Sequence, residues 1–269
     1  MTPQLLYYNF APGVKAFSST RHGGVSTGAY SSFNVNAWCG DQAEHIEQNR
    51  QALCTLLGID SNHLVMPHQT HGTEVRQIGQ ELFSMNEKNR AMALEGVDAV
   101  TTNLTGVCVG VSTADCIPVL LYDPQHHAVA AVHAGWRGTV QRIVVKTLQH
   151  MQQAFGSQPQ HIRAVIGPGI SLEAFEVGDE VYEAFSEAEF PMNNLSRREP
   201  AKSRFPNELN MKWHIDLPMC NQWLMVNEGI RPENIQQTGV CTYRQSDDFF
   251  SARKHSVHCG RILTAIMIV

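Results

Sequence analysis

The sequence has little net charge and no concentration of charge of one sign, which excludes several classes of protein. Its 269 residues include 20 Lys and Arg and 25 Asp and Glu, for a formal net charge of −5 at pH 7. Nucleic-acid-binding surfaces usually carry a stripe of basic residues, and membrane-surface segments carry blocks of like charge. The composition therefore predicts a protein without a nucleic-acid or membrane partner.

Long apolar runs and targeting signals are also missing. The longest apolar stretch, ILTAIMIV at 262–269, is far shorter than the roughly 20 residues that span a bilayer. The first ten residues lack the basic start and the apolar stretch of a signal peptide. The seven cysteines form no CxxC pair and are odd in number, which disfavours a secreted disulfide scaffold. These absences predict a cytoplasmic protein with reduced thiols.

Short β-branched runs dominate the sequence and predict an α+β fold. The predicted strands are 63–69, 74–78, 97–102, 107–112, 117–122, 128–134, 162–167 and 262–269. Apolar residues at helical spacing predict helices at 41–58, 139–155, 178–188 and 216–229. Consecutive strands without helices between them, around 97–133, exclude a simple βαβ winding. No repeat or linker divides the chain, and 201–212 is predicted to be a surface insertion.

The boundaries of the first helix are predicted from its end signals. Asp41 and Glu44 form a capping box, in which each side chain bonds a free backbone amide of the first turn. Gly58 is predicted to end this helix, because glycine adopts the left-handed conformation of a helix C-cap without strain. Gly156 is predicted to end the second helix in the same way.

The stretch VHAGWRGTV at 132–140 ends an apolar run with His133, which packing alone does not explain. An Asp-Pro pair at 123–124, between two apolar runs, predicts a tight turn upstream. If the turn centres after Pro124, paired residues have numbers that sum to about 249, and Cys116 lies opposite His133 with β-carbons about 5 Å apart. A slip of one residue would place the two side chains on opposite faces.

A thiol and imidazoles at this spacing predict a catalytic zinc site. Zinc prefers Cys and His ligands, and two His with one Cys leave the fourth position open for water or substrate. The segment MPHQTHGTEV offers His68 and His71 as a third ligand, and spacing does not choose between them. Cys116 and His133 are equally compatible with a Cys-His hydrolase, in which the thiolate attacks a carbonyl carbon.

A phosphate site is predicted next to this metal site. Gly135 and Gly138 let the chain turn into the predicted helix 139–155, whose first amides carry the positive end of the helix dipole. Arg137 lies in that turn and could add a bidentate contact to phosphate. A solvent-facing arginine with a glycine-mediated helix start has the same sequence, so both interpretations stay open.

Two further groups of residues could complete the pocket. The polar loop STRHGGVSTGAYSSFNVN could close over a ligand, with Arg21, His22 and Asn34 as contacts, although a surface turn has the same composition. Asp98 and Asp115 could orient the metal ligands from behind or make structural hydrogen bonds.

Six segments follow one another in a recognisable order: RHGGVSTGAYSSFN, QTHGTEV, STADCIPVLLYD, VHAGWRGTV, IGPGIS and CTYRQSDDFFSARK. Together they closely resemble the YfiH-like family, also called the laccase-domain or polyphenol-oxidase-like family. The resemblance runs from about residue 14 to the C-terminus, and ADCIPVLL followed by HAGWRG is highly specific to it. It implies a single α+β domain over 1–269, layered α/β/β/α with mixed β-sheets.

The resemblance also implies a site and an activity. Members carry one zinc ion on His, Cys and His, which match His71, Cys116 and His133 and therefore favour His71 over His68. The family is similar in activity to purine nucleoside phosphorylases that act on adenosine, inosine and methylthioadenosine, with adenosine deamination as well. The expected protein is a monomeric, cytoplasmic zinc enzyme with a purine nucleoside and phosphate as substrates.

Within that expectation, Arg137 would hold phosphate, and Arg21 and Asn34 would close on the sugar or the base. Copper could occupy the metal site in vitro. Two alternatives belong to the same resemblance: a Cys-His hydrolase or amidase acting in peptidoglycan-precursor editing, and a copper-dependent polyphenol oxidase. The oxidase requires several metal centres, whereas the sequence offers ligands for one.

The sequence departs from the family pattern in two places. Cys259-Gly260-Arg261 stands where the family usually has Thr-Gly-Arg, and Asn34-Val35-Asn36 stands where it usually has Asn-Leu-Gly. Both departures lie at the expected rim of the pocket rather than at the metal ligands.

Overall fold

Strands and helices contribute similar amounts of regular structure in residues 2–200 and 211–269, the part of the chain that the computed structural model describes. The strands are β1 Leu5–Tyr8, β2 Val14–Ser19, β3 Leu64–Val65, β4 Glu74–Gln77, β5 Val97–Thr102, β6 Cys108–Thr113, β7 Ile117–Asp123, β8 Ala128–Ala134, β9 Arg163–Ile166, β10 Glu176–Val177, β11 Ser196–Pro200, β12 Met211–Ile215, β13 Ile235–Gln237 and β14 Ile262–Ile268. The α-helices are α1 Ala43–Leu57, α2 Glu81–Ser84, α3 Glu87–Ala93, α4 Trp136–Val140, α5 Ile143–Phe155, α6 Asp179–Glu187, α7 Met192–Leu195, α8 Leu217–Asn227 and α9 Ala252–His255. Among these described helices, none has the length and apolar character needed to cross a membrane.

The strands form two large mixed sheets and one small antiparallel sheet. The five-stranded sheet has the order β1-β2-β14-β6-β3, and the six-stranded sheet has the order β13-β9-β7-β8-β5-β4. Both large sheets are antiparallel in the centre and parallel at an edge. The five-stranded sheet has one parallel edge pair, β3 with β6. The six-stranded sheet has a parallel pair at each edge, β4 with β5 and β13 with β9. The small sheet has the order β10-β12-β11.

Alternation along β7 shows how the two large sheets and the helices stack. Leu120 and Tyr122 lie in the core between the sheets, and Val119 and Leu121 lie in the core that α5 and α8 cover. Successive side chains of a strand point to opposite faces, so a strand covered on both sides is apolar at every position. Each such side chain contributes about 1.5–3 kcal/mol when it is removed from water.

The other face of the five-stranded sheet is covered by α1, where Leu53 packs with Phe17 and Leu263. The order of layers is therefore α1, five-stranded sheet, six-stranded sheet, and the helices α5 and α8. This arrangement confirms the α+β class and the α/β/β/α layering with mixed sheets that the resemblance implied.

Most predicted elements are confirmed. All eight predicted strands form, as do α6 and α8 near the predicted 178–188 and 216–229. Strands β1, β2 and β10–β13 were not predicted. The last two residues of the predicted insertion 201–212 belong to β12, and 201–210 lie outside the described residues.

The capping box is wrong, although the helix and its end are confirmed. Helix α1 begins after Gln42, and no side chain caps it. Asp41 instead turns inward, where its Oδ2 accepts hydrogen bonds from Ser26 Oγ at 2.7 Å and Asn34 Nδ2 at 2.9 Å. Gly58 ends the helix in the left-handed conformation, with φ of 74°. The Asp41 carboxylate, predicted to cap the helix, thus binds side chains of a distant loop instead.

The predicted single helix 139–155 is also wrong, because the chain breaks between α4 and α5. Arg142 has the left-handed φ of 64° at the break. Its guanidinium donates to the carbonyl oxygen of Ala188 at 3.1 Å, so a contact with a distant segment stabilises the break. Helical spacing continues across the interruption, which is why the sequence pattern does not reveal it.

Candidate metal centre

The side chains of His71, Cys116 and His133 meet where three segments end. His133 lies near the end of β8, Cys116 immediately precedes β7, and His71 lies in the loop before β4. Their donor atoms all lie within 4.8 Å of one another. Within the described ranges, these three side chains are the one group of at least three potential metal ligands. One thiolate and two imidazoles suit a tetrahedral ion with one position left open.

The register that brings Cys116 to His133 differs from the prediction. His133 pairs with Pro118, so Cys116 is a diagonal neighbour rather than the residue directly opposite. The loop contains four residues between Asp123 and Ala128 instead of a tight two-residue turn, because Asp123 Oδ1 accepts from the Gln125 amide at 2.8 Å and extends the turn. The displacement is an even number of residues, so both side chains keep the same face of the sheet.

Gly135 provides the space in which the three side chains converge. A β-carbon at this position would lie 3.1 Å from Cys116 Sγ and 3.2 Å from His71 Cδ2. Its φ of −67° is ordinary, so the absence of a side chain, not conformational freedom, explains the glycine.

The carboxylate of Asp98 organises the centre from behind. It accepts hydrogen bonds from the backbone amides of Thr70 at 3.3 Å, His71 at 3.0 Å and Gly72 at 2.7 Å. The Nδ1–H of His133 donates to Asp98 Oδ1 at 2.7 Å, which leaves Nε2 of this ring as the donor atom for a metal. His71 has a left-handed φ of 64°, and these amide bonds offset the strain of that conformation.

The electrostatics of the centre favour the thiolate. Burial by itself raises the pKa of Cys116, but the charge of His133 and hydrogen bonds from His133 and His71 lower that pKa to about 6. Burial lowers the pKa of His133, but the Cys116 thiolate and Asp98 raise it to about 9. Without a metal, the pair is therefore a thiolate and an imidazolium at neutral pH. The sulfur is already in the form that binds metal ions.

A cavity of about 330 Å³ opens from the three side chains to the surface. Its wall includes Asn36, Trp38, His68, Ser112 and Arg261. This volume lies at the lower end of the range of about 300–1,000 Å³ that is typical of small-molecule pockets. The cavity has room for a small ligand next to the candidate metal ligands.

Trp38 forms an aromatic wall of this cavity. Its indole is 44% exposed and stacks on the ring of His68, with centroids 5.0 Å apart and an interplanar angle of 16°. His68 is held in turn by Glu95, whose carboxylate lies 2.8 Å from its Nδ1. The two histidines that spacing could not separate thus have different partners: His71 joins the ligand group and His68 supports Trp38.

The residues predicted to contact substrate or phosphate do not line the cavity. His22 lies 3.0 Å from the Asp248 carboxylate through its Nε2. Arg21 donates to the carbonyl oxygens of Ser31 at 2.9 Å and Ser246 at 2.8 Å. Asn34 is fully buried and bonds within its own loop and to Arg261. Arg137 is exposed, and its guanidinium stacks 4.3 Å above the Trp136 ring. The predicted phosphate site beside Arg137 depended on the start of the helix 139–155. In the structure, Arg137 lies in α4, which is only five residues long.

Arg261 and Trp38, which line the cavity, were not predicted as site residues. The signal for Arg261 is the departure at 259–261, which the sequence places at the rim of the pocket. Trp38 follows the second departure, at Asn34-Val35-Asn36. Asp115, for which the sequence left open an orienting or a structural role, accepts hydrogen bonds from Thr242 Oγ1 at 2.7 Å and the Arg253 amide at 2.6 Å.

The family model of the multi-copper polyphenol oxidoreductase laccases matches residues 15–269. The chain belongs to this laccase family. The predicted YfiH-like membership is thereby confirmed. Within the described residues, this laccase-family chain offers one group of three potential metal ligands rather than several.

Several relatives of this laccase-family chain have been named for activities on purine nucleosides. It is 43% identical to a purine nucleoside phosphorylase of Bacteroides thetaiotaomicron, over 95% of this chain and 92% of the relative. It is 41% identical to adenosine deaminase RL5 from an unknown prokaryotic organism, over 94% of each chain. It is 34% identical to the purine nucleoside phosphorylase YfiH of Escherichia coli, over 96% of this chain and 95% of the relative.

Solved structures share the layered fold over almost the whole chain. YfiH of Bacillus licheniformis, described as a hypothetical protein, has a TM-score of 0.83 and 25% identity, covering 98% of this chain and 99% of that one. YlmD of Geobacillus stearothermophilus has a TM-score of 0.82 and 27% identity, covering 96% and 94%.

Proposed function

We propose that this laccase-family protein is a zinc-dependent purine nucleoside phosphorylase that also deaminates adenosine, acting as a monomer in the cytoplasm. The observation that carries the proposal is the group of His71, Cys116 and His133 in the wall of a cavity of about 330 Å³. Relatives at 43% and 41% identity are named for these two activities. The seven cysteines are all free thiols, which suits a reducing compartment.

The residues of the centre fit zinc. Zinc favours thiolate and imidazole donors, and Gly135 leaves the space in which the three donors meet. When bound, the metal supplies a Lewis acid and lowers the pKa of water, which is the chemistry that deamination at purine C6 requires. Copper accepts the same donors and could replace zinc in vitro.

The protein's own residues orient the metal ligands and bind the base. Asp98 fixes the ring of His133 and the backbone of His71, so the ligand geometry exists before substrate arrives. The exposed indole of Trp38, supported by His68, offers an aromatic face on which a purine can stack. A base on Trp38 lies in the same cavity as the metal ligands.

Phosphorolysis and deamination are separate reactions with balanced products. In phosphorolysis, a phosphate oxygen bonds to ribose C1′ while the bond from C1′ to the purine breaks, and the proton of HPO₄²⁻ ends on the base. The products are ribose 1-phosphate and free purine. In deamination, water replaces the 6-amino group of adenosine, which leaves as ammonia. One cavity next to one metal site could support both reactions.

The two alternative functions, polyphenol oxidase and Cys-His hydrolase, make different predictions for the same residues. A polyphenol oxidase needs several metal centres, whereas the described residues supply one ligand group. A Cys-His hydrolase would use Cys116 as a nucleophile beside His133 and would work without metal. In that case His71 would only stabilise the thiolate by its hydrogen bond, whereas its convergence with the other two side chains fits a third metal ligand.

The proposal is tested by incubating the purified protein with adenosine, with and without phosphate. Adenine and ribose 1-phosphate should form only with phosphate, and inosine should form in both samples. Zinc should be equimolar with protein, and Cys116→Ala should lose the metal and both activities. Cys220→Ala, which alters a buried thiol of α8, serves as the matched control. Absence of all purine products would overturn the assignment, and activity in metal-free protein would support the hydrolase.

A further inference from the structure

Arg261 carries the permanent positive charge of the cavity. Among the described residues that line this space, it is the one Arg or Lys side chain, and it shares the wall with Cys116 and His133. Arginine stays protonated at every physiological pH, and inside a cleft its charge attracts anions more strongly than it would in open water.

The charge of Arg261 is not neutralised by a carboxylate. Its Nη2 donates to the carbonyl oxygen of Val257 at 2.8 Å, and its Nη1 donates to the carbonyl oxygens of Gly260 at 3.1 Å and Cys259. No ion pair with Arg261 is present within residues 2–200 and 211–269. Carbonyl groups hold the guanidinium in position and leave its full charge for a ligand. Nε–H has no protein acceptor in those ranges.

The backbone of Arg261 is fixed by residues that the sequence pointed to for another reason. Its amide donates to Asn34 Oδ1 at 3.1 Å. The preceding Gly260 lies against Phe250, where an added β-carbon would be 2.4 Å from the ring. Arg21 stacks on that same ring at 4.9 Å. Arg21 and Asn34 therefore both contact the segment that carries Arg261.

We propose that Arg261 binds the phosphate co-substrate in this cavity, a role that the sequence had assigned to Arg137. The inference rests on the proposed phosphorylase function. A fixed guanidinium forms charge-assisted hydrogen bonds to phosphate oxygens, and its planar shape fits two of them at once. Phosphate bound there lies in the same cavity as a nucleoside on Trp38, from which it can reach ribose C1′. Water needs no such cation, so deamination does not use Arg261.

The role of Arg261 can be tested with an internal control, because phosphorolysis needs phosphate and deamination does not. Arg261→Met should raise the KM for phosphate at least about tenfold, as expected for the loss of a charged hydrogen bond. The kcat/KM for adenosine deamination should stay within about twofold. Arg261→Lys should restore part of the phosphate affinity, because it returns the charge without the planar fork. Arg231→Met removes an exposed charge outside the cavity and should match the parent in both assays.

Other results would overturn the proposal. Equal losses of phosphorolysis and deamination in Arg261→Met would place Arg261 on the nucleoside. A raised phosphate KM in Arg137→Met, with Arg261→Met unchanged, would return the role to Arg137.

Direct binding separates this inference from the proposed function. If the parent protein forms no product from any nucleoside, the proposed function fails, and calorimetry with inorganic phosphate still tests Arg261. Binding by the parent protein that Arg261→Met loses would support the anion site. Equal binding, or none, in both proteins would refute it.

Discussion

Nδ1 of His133 lies 2.7 Å from Oδ1 of Asp98, and the same oxygen accepts the amide of His71 at 3.0 Å. One carboxylate oxygen therefore sets the orientation of two proposed metal ligands that come from different segments. Both bonds require an ionised Asp98. Burial raises the pKa of this carboxyl, but the hydrogen bonds and charge of His133 and the amides of Gly72 and Thr70 lower it overall.

Asp98→Asn should weaken metal binding by about 10–100-fold, the usual cost of losing the partner behind a histidine ligand. The amide keeps the shape of the carboxylate but cannot attract the ring proton of His133 as strongly. Competition with a chelator, followed by metal analysis, measures the change. Asp60→Asn alters an exposed carboxylate and should bind metal like the parent. Unchanged affinity in Asp98→Asn would show that Asp98 only supports the loop.

Metal removal should expose a reactive thiolate at Cys116. Because the neighbouring imidazoles lower the pKa of Cys116 to about 6, its alkylation by iodoacetamide in metal-free protein should be half-maximal near pH 6. His133→Gln should move the midpoint above about 8, toward or beyond that of an ordinary thiol. Mass spectrometry of the alkylated peptide identifies the site. A midpoint near 8.5 in the parent protein would contradict the proposed electrostatics, and reloading with zinc should protect the sulfur.

Gly135→Ala should damage the metal centre while leaving the fold intact. The added methyl group would lie 3.1 Å from Cys116 Sγ, so the sulfur must move by a few tenths of an ångström. We expect metal affinity to fall about tenfold, because ligand geometry tolerates little displacement. Gly178→Ala has an ordinary φ of −77° and meets only the flexible side chain of Glu180, which makes it the control. Full metal binding by Gly135→Ala would show that the centre adapts freely.

Trp38→Ala should raise the KM for adenosine and inosine by about tenfold, since stacking of a base on an aromatic ring contributes about 1–3 kcal/mol. The KM for phosphate should change little, because Trp38 carries no charge. Trp38→Phe keeps an aromatic face and should retain most of the affinity. Steady-state kinetics of both substrates separate these effects. If Trp38→Ala leaves the nucleoside KM unchanged, the base binds on another wall.

Asp123 should make the stability of the protein depend on acid pH. Its side chain is fully buried. Burial raises the pKa of Asp123, but hydrogen bonds, including those from His126 and the Gln125 amide, lower it below its ordinary value. The contribution is therefore present above the unfolded pKa of about 3.9 and is lost as pH falls through the lower folded value. Asp123→Asn should cost about 1–3 kcal/mol at pH 7, and the difference should shrink toward pH 2 in urea unfolding. A constant difference would refute the electrostatic origin.

Local sequence patterns were sufficient for the regular elements that lie inside the layers. Strands β7 and β8 are buried at every position and apolar except at Asp123 and His133, because both faces are covered, and such runs are visible in the sequence. Gly58 ends α1 because its left-handed conformation is a property of the single residue. The prediction that Cys116 and His133 share one face of the sheet was also correct, although the predicted turn was too short. The register differs by two residues, and only an odd displacement moves a side chain to the other face.

Contacts between distant segments were beyond these patterns. The break at Arg142 depends on a carbonyl at Ala188, and the loss of the capping box depends on Asn34 reaching Asp41. Polar residues in a glycine-rich loop, such as Arg21 and Asn34, fit ligand contacts and a surface turn equally well. The fold instead directs both toward the segment that holds Arg261.

The sequence by itself determined the fold class and, through its resemblance to the laccase family, the three side chains proposed to bind metal. Those features depend on residue type, periodicity and strand parity, which a linear pattern contains. Only the tertiary structure decided which oxygen orients His133, which histidine supports Trp38 and which arginine faces the cavity. Each of these depends on the direction of a side chain relative to residues far away in the chain, and that direction is fixed by packing rather than by spacing.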